Sequence, residues 1–184
     1  MKWHENRPLA WVALALCALV SVFGLGGMSL ARARGQALAV FDDGTAAGQE
    51  GRHCMDAYLD GAAECAQIMA AEAVRLKGDT AASDAVAAQA AILGSDSAGL
   101  SARAAAYAAL NTEVDRLYNE TYTDDKAAFA PFKLAYDDFW GDDDLIRHDA
   151  YPALARSYNA RISGFPARMV ASVTGNGALE TFGG

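Results

Sequence analysis

The chain has 184 residues, of which 53% are hydrophobic, and its 15 basic and 23 acidic side chains give a net charge of −8. This apolar content excludes a chain that is disordered throughout. The acidic balance argues against nucleic-acid binding, which needs a basic surface, and three cysteines are too few for a disulfide scaffold. Forty-two alanines and only four prolines favour helices over strands.

The charge is unevenly distributed along the chain. Residues 1–35 contain four basic residues and one acidic residue, a net charge of +3. Residues 36–184 contain 11 basic and 22 acidic residues, a net charge of −11. A basic and apolar N-terminal segment therefore precedes an acidic body.

The N-terminal segment has the length and composition of a membrane anchor. Residues 9–31 form a run of 23 residues without a charged side chain. As a helix this run is about 35 Å long, which is enough to cross a hydrocarbon core of about 30 Å with some tilt. Trp3 and Trp11 lie near its start, where aromatic rings suit the headgroup region, and Gly27 and Met28 lie where a small residue would let another helix approach. Residues 1–35 are therefore predicted to be a short tail and a transmembrane anchor.

A cleaved signal peptide is the main alternative for this segment, and a buried core helix is a further one. Lys2 and Arg7 would form the charged start of a signal peptide, and residues 37–39 (Ala-Leu-Ala) would supply its cleavage site. The apolar run is longer than that of an ordinary signal peptide, and Arg32 and Arg34 precede the cleavage site. A retained anchor is therefore favoured.

The body is predicted to be all-α. A glycine-rich linker is predicted at residues 36–52, where no hydrophobic period is maintained. Residues 53–184 are predicted to form an antiparallel helical bundle, because apolar residues recur at helical spacing and no stretch alternates like a strand. The predicted helices cover residues 55–76, 81–93, 100–122 and a last helix from about Asp149. Residues 123–149 are predicted to form short helical turns and loops.

The first predicted bundle helix has the clearest pattern. Seven of its apolar residues follow alternating steps of four and three, which places them on one stripe. They are Met55, Leu59, Ala62, Ala66, Met69, Ala73 and Leu76. Gly78 is predicted to end this helix, and Asp79 or Thr80 is predicted to cap the next one.

Three aromatic residues of the last predicted helix, Tyr151, Tyr158 and Phe165, are seven residues apart. A seven-residue step drifts by only about 20° around a helix, so their rings are predicted to share one ridge and to pack in the core. Pro166 lacks an N–H and clashes with the preceding turn, so the helix is predicted to kink or restart there. Asn159 is expected to bond the backbone of a neighbouring loop or helix end.

The segment that contains these residues reads SYNARISGFPARMVASVTGNGALETF. It resembles the C-terminal signature of the LemA family, in which a Tyr-Asn pair is followed seven residues later by Phe-Pro, an apolar helix and a closing Phe. The matching residues here are Tyr158-Asn159, Phe165-Pro166, residues 169–171 and Phe182. Tyr151 stands where the pattern has an earlier Tyr-Asn, and Pro152 replaces that asparagine.

The resemblance implies a bacterial, membrane-anchored, antiparallel helical bundle, and it assigns no molecular activity. We therefore expect a single-pass protein of the bacterial inner (cytoplasmic) membrane. Its acidic body is expected to lie outside the cytoplasm, because the short N-terminal tail is easily left inside. The residues of the signature, Tyr151, Tyr158, Asn159, Phe165 and Pro166, are expected to be structural rather than catalytic.

The sequence contains none of the catalytic or metal-binding motifs that we considered. It has no phosphate-binding loop, dinucleotide fingerprint, nucleophile elbow or zinc-protease motif. Eight aspartates between residues 124 and 149 do not follow EF-hand spacing and are predicted to form a solvated acidic surface. His53, Cys54 and Cys65 lack zinc-site spacing. On one continuous helix Cys54 and Cys65 would lie about 16 Å apart, too far for a disulfide, so a bridge between them would require Gly61 to break the helix.

We therefore expect a non-catalytic protein, without a cofactor or a metal site, that scaffolds or binds partners at the cell envelope. The expected partners are the lipid bilayer and a protein whose identity the sequence does not supply. The alternative is a module that binds divalent cations or a small ligand through the Asp-rich segment 124–149. A hydrolase is a less favoured alternative, because no catalytic constellation is present.

Overall fold

The computed structural model describes residues 7–44 and 54–182, with side chains from residue 10 onward, and these residues contain helices and no strand. The elements are α1 (Arg7–Val20), a π-helical turn (Ser21–Leu25), α2 (Gly26–Asp43), α3 (Met55–Lys77), α4 (Ala81–Leu93), α5 (Leu100–Thr121), α6 (Lys126–His148), α7 (Tyr151–Ser163) and α8 (Ala167–Thr174). The predicted all-α fold is confirmed. Trp3 and residues 45–53 of the predicted linker and bundle start lie outside the described residues.

The chain forms two compact units that differ in charge. Residues Met1–Leu38 and Leu154–Leu179 make up the first unit, which has seven basic residues, one acidic residue and a net charge of +6. Residues Ala39–Ala153 and Glu180–Gly184 make up the second, which has eight basic and 22 acidic residues and a net charge of −14. We call them the basic unit and the acidic unit. The divisions between them fall within α2, within α7 and between Leu179 and Glu180.

The acidic unit contains a bundle organised around α3. This helix packs along α6 and against α4, and α4 also packs against α5. Short connections at residues 78–80 and 94–99 make α3, α4 and α5 antiparallel neighbours. Six of the seven residues in the predicted stripe of α3 are buried, and Leu76 at its end is half-buried. The predicted stripe is confirmed, and it forms much of the core of the bundle.

Capping and small residues explain the local geometry of this bundle. Gly78 ends α3 with a positive φ of 83°. Thr80 caps α4, because its side chain accepts from the Ser83 N–H (3.1 Å) while its own N–H donates to Ser83 Oγ (3.0 Å). Gly61 lets α6 approach α3 closely, because a Cβ there would lie 2.6 Å from Asp142 Oδ2.

The prediction of short turns and loops at residues 123–149 is wrong, because α6 is a continuous helix of 23 residues. The Asp125 side chain caps its start by accepting from the N–H groups of residues 127 and 128, each at 3.1 Å. Its buried face repeats at helical spacing. The buried residues are Phe129, Phe132, Ala135, Phe139, Asp143 and Ile146. Pro131 inside the helix and Asp143 inside the buried face conceal this period in the sequence.

The predicted linker also starts too early, because residues 36–43 continue α2 as helix. Leu30, Ala37 and Phe41 are buried, and their steps of seven and four place them on one side of the helix. Gly35 does not interrupt the helix. The predicted linker therefore overlaps the last two turns of a helix that supplies core residues.

Candidate functional site: the apolar helix and the C-terminal segment

One helical stretch among the described residues is long and apolar enough to cross a membrane. It covers Ala10–Asp43, and its most apolar window of 18 residues has a mean hydropathy of 2.1 and is only 6% buried. Large apolar side chains of this stretch, such as Trp11 (71% exposed) and Leu25 (70% exposed), lie on the protein surface. The low burial is unlike that of a core helix of a soluble protein. A signal sequence near the N-terminus would also satisfy these criteria of length and composition.

Two glycines of α2 lie against α8 within the basic unit. A Cβ at Gly27 would lie 2.8 Å from Thr174 Cγ2, and a Cβ at Gly26 would lie 3.7 Å from Val170 Cγ1. A side chain at position 27 would therefore push the two segments apart. The predicted approach of another helix at Gly27 is confirmed, and the approaching helix belongs to the same chain.

Polar side chains link the C-terminal part of the basic unit to α2. Arg161 Nη2 donates to Ser29 Oγ at 3.1 Å. Asn176 Nδ2 donates to Thr174 Oγ1 at 2.8 Å and approaches the Gly27 carbonyl oxygen at 3.4 Å. A cavity of about 300 Å³ lies beside these contacts, with Arg161 and Val170 in its lining.

The predicted backbone contact of Asn159 is confirmed. Its Nδ2 donates to the Leu179 carbonyl oxygen at 2.7 Å, and its Oδ1 accepts from the Leu179 N–H at 2.8 Å. The Tyr158 hydroxyl donates to the Asn176 carbonyl oxygen at 3.0 Å. Burial raises the pKa of the Tyr158 phenol above its usual value, which keeps this donor protonated. The Tyr-Asn pair thus holds the backbone of the segment that follows α8.

Tyr151 anchors the end of the same segment within the acidic unit. It is fully buried, and its hydroxyl donates to the Glu180 carbonyl oxygen at 2.9 Å. Its ring lies 4.9 Å from the ring of Phe41 and 6.2 Å from the ring of Phe182. The predicted core positions of Tyr151 and Tyr158 are therefore confirmed, and each has a backbone partner for its hydroxyl.

Phe165 does not belong to the predicted core ridge, because its side chain is 87% exposed. The seven-residue step from Tyr158 requires a continuous helix, and α7 ends at Ser163. Pro166 is the N-cap of α8, so the helix restarts there as predicted. The restart moves Phe165 off the ridge and out of the core.

The Asp-rich segment shows no convergent cation site. Asp137 pairs with Lys133 at 2.5 Å, Asp144 lies 3.3 Å from His148 Nδ1, and Asp149 accepts from the Tyr151 N–H at 2.7 Å. The described residues contain no group of three or more His, Cys, Asp or Glu side chains that could hold a metal ion. Asp137, Asp144 and Asp149 therefore each have a separate local partner.

The two cysteines of the body are free. Cys54 precedes α3 and Cys65 lies within it, and α3 continues through Gly61 without a break, so they do not pair. Burial and nearby carboxylates raise the pKa of the Cys65 thiol to about 11. It is therefore a thiol rather than a reactive thiolate at neutral pH. His53 lies outside the described residues.

A buried polar cluster around Asp143 has no counterpart in the sequence analysis. Asp143 is 4% exposed and accepts from Tyr107, from Asn111 Nδ2 at 3.2 Å and from Arg147 Nε at 2.6 Å. Burial and the hydrogen bond to Asp143 raise the pKa of the Tyr107 phenol to about 12. The phenol stays protonated at neutral pH, so this cluster joins α5 to α6 and offers no nucleophile.

A buried cation, Arg103 of α5, is held by side chains and a carbonyl oxygen of α3 and α4. It is 5% exposed, pairs with Asp56 and with Asp60 (2.8 Å), and donates to the Leu93 carbonyl oxygen at 2.7 Å. Arg147 lies one turn after Asp143 on α6, but the other partners of Asp143 lie on α5 and those of Arg103 lie on α3 and α4. Only helical periodicity combined with the correct pairing of helices could have revealed these clusters from the sequence.

The chain matches no model of a known protein family, no curated protein and no solved structure. The resemblance to the LemA family therefore depends on the C-terminal residues alone.

Proposed function

We propose that this protein is a single-pass, membrane-anchored helical-bundle protein that scaffolds or binds other proteins and catalyses no reaction. The observation that carries the proposal is the exposure of the apolar helix. Only 6% of its apolar stretch of 18 residues is buried. Such an apolar surface is unfavourable in water and favourable in the hydrocarbon core of a bilayer. The helix is also long enough to cross that core.

The separation of charge supports the same function. The basic unit contains the apolar helix, and its net charge of +6 is complementary to anionic lipid headgroups. The acidic unit has a net charge of −14, which disfavours contact with an anionic membrane and suits a partner with a basic surface. The chain thus separates a membrane-facing part from a part suited to a protein partner.

We also propose that the protein is a divergent relative of the LemA family. The contacts of Tyr158 and Asn159 with the backbone of residues 176 and 179 support this relationship, because they give the Tyr-Asn pair a structural role. Pro166 likewise starts a new helix. These contacts support a shared architecture and assign no activity, whereas a bacterial origin and a place in the cell envelope are proposed only because the resemblance implies them.

The proposed location is the bacterial inner membrane, with the acidic unit outside the cytoplasm. Protease added to spheroplasts should then digest the acidic unit while the membrane stays intact. Digestion only in inverted membrane vesicles would contradict this orientation and would place the acidic unit in the cytoplasm.

Partner binding is tested by crosslinking the full chain in its own membranes and purifying it in detergent. We expect one or a few proteins to co-purify, and to dissociate from uncrosslinked complexes as the salt concentration rises, because the acidic unit would attract them by charge. Recovery of lipid without any protein partner would contradict the scaffold function.

Calorimetric titration of the full chain with Ca²⁺ or Mg²⁺ tests the cation-binding alternative. Because no three metal-binding side chains converge among the described residues, we expect no micromolar binding. Micromolar binding that is lost when these aspartates are replaced would favour the cation-binding module instead.

A further inference from the structure

An exposed apolar stripe runs along the C-terminal part of the basic unit. Phe165 is 87% exposed, Met169 is 51% exposed and Val173 is 67% exposed. The Arg168 N–H donates to the Gly164 carbonyl oxygen at 2.8 Å, so the helical turn already begins before α8. The step of four residues places Met169 and Val173 on one side of α8, and the exposed Phe165 lies in the turn directly before this helix. Val170 and Ala171, on the opposite side, are buried.

The position of α8 along the apolar helix indicates the environment of this stripe. α8 packs against Gly26 and Gly27, which lie four to five residues before Ala31, the last residue of the uncharged run. At about 1.5 Å per residue, this contact lies about 6–8 Å inside the end of the apolar run. An amphipathic helix at a membrane surface typically inserts its apolar face by about 5–10 Å. In a membrane spanned by the uncharged run, this packing places α8 at the depth of such a helix.

The charges around α8 suit the same environment. Residues 154–179 contain three arginines and no acidic residue. Arg161 and Arg168 are exposed, and Arg161 reaches Ser29, three residues before Arg32 of the apolar helix. Long basic side chains at this level can extend to lipid phosphates while the apolar residues beside them lie among acyl chains.

We propose that residues 165–174 form a second membrane contact, in which Phe165, Met169 and Val173 insert into the leaflet that the C-terminal end of the apolar helix crosses. This proposal rests on the membrane anchor proposed above. The occupant of the stripe is the lipid bilayer, and the protein is held by an anchor and an interfacial helix packed together at Gly26 and Gly27.

Spin labels at single cysteines test this contact in the full chain, reconstituted in vesicles of phosphatidylcholine with a minority of phosphatidylglycerol. The native Cys17, Cys54 and Cys65 are first replaced. Labels are then placed by Leu14→Cys in the anchor, Val173→Cys in the stripe and Thr112→Cys on the exposed surface of α5. Phe165→Cys provides a second label in the stripe. Oxygen, which concentrates in the bilayer, and a nickel chelate, which stays in water, report the environment of each label.

We expect the labels at positions 14, 165 and 173 to be relaxed more by oxygen than by the nickel chelate, and the label at position 112 to show the reverse. Labels at 165 and 173 that behave like the label at 112, while position 14 remains in the bilayer, would overturn the second contact and leave the anchor intact. A label at position 14 that the nickel chelate reaches freely would overturn both the anchor and the contact that rests on it.

Discussion

Asn159 fixes the C-terminal segment by pairing with both backbone groups of Leu179. We expect Asn159→Ala to lower the free energy of unfolding by about 1–3 kcal/mol, because it leaves two part-buried backbone groups without partners. Hydrogen exchange at residues 176–182 should also become faster. The control is Asn119→Ala on α5, because the exposed Asn119 bonds only a carbonyl oxygen of its own helix. Equal effects of the two substitutions would contradict the role of Asn159.

Tyr107 predicts a specific dependence of stability on alkaline pH. The phenol has a pKa of about 12 in the folded protein and an unperturbed value of 10.0. Between these values the folded state binds more protons than the unfolded state, so stability is retained below pH 10 and falls as the pH rises toward 12. Denaturant unfolding at a series of pH values should show this fall, and Tyr107→Phe should reduce its slope. Parallel profiles for the two proteins would contradict the assignment.

The contrast between Phe165 and Tyr158 shows how far the sequence alone could predict which aromatic side chains are buried. The seven-residue spacing correctly placed Tyr151 and Tyr158 in the core, because both lie on the continuous helix α7. The same spacing failed for Phe165, since Gly164 and Pro166 end that geometry before the third ring is reached. For Asn159 the sequence predicted a backbone partner but not which residue supplies it, because a hydrogen bond between residues 20 positions apart follows no local pattern.

At the scale of elements, the cap of α6 can be tested with neighbouring aspartates. Asp125 accepts from two backbone N–H groups at the helix start. We expect Asp125→Ala to lower the free energy of unfolding by about 1 kcal/mol. Asp124→Ala removes the same charge without removing a cap bond and should change stability by less than about 0.5 kcal/mol. Urea unfolding of both variants decides the point, and a larger loss for Asp124→Ala would contradict the capping role.

The contact between α2 and α8 can be tested with two glycines. A side chain at Gly27 would collide with Thr174, whereas a Cβ at Gly24 would have no neighbour within 4 Å. We expect Gly27→Val to destabilise the packing of α8 by about 1–3 kcal/mol, as overpacking usually does. Gly24→Val should leave it unchanged. Hydrogen exchange of residues 167–174 in detergent measures the effect, and identical exchange in both variants would contradict the contact.

The spacing of apolar residues correctly predicted the bounds of α4 and the buried stripe of α3. Both could be predicted because a regular spacing of alanine and leucine can be recognised within a single helix. It did not predict α6 or the last turns of α2. A buried aspartate, Asp143, interrupts the apolar face of α6, and its partners Tyr107 and Asn111 lie on α5. A helix with a buried polar residue can be recognised only when the helices packed against it are known.

At the scale of the whole molecule, the sequence predicted a basic N-terminal segment and an acidic body. The structure assigns Arg156, Arg161 and Arg168 to the basic unit as well, because residues 154–179 belong to the same compact unit as the apolar helix. The return of the chain to its N-terminal helix depends on tertiary packing, and the sequence shows it only as a stretch, residues 154–179, with three arginines and no acidic residue. It makes the difference in charge between the two units larger than the difference between the two ends of the chain.

The retention of residues 1–35 as a membrane anchor is the central claim of this account. The direct measurement is the intact mass of the protein recovered from its native membranes after a carbonate wash, which removes peripheral proteins. We predict that the full chain of 19.3 kDa remains in the washed membrane pellet. A soluble mature form that begins near Val40, with no full-length chain in the pellet, would show that the segment is a cleaved signal peptide and would contradict the account.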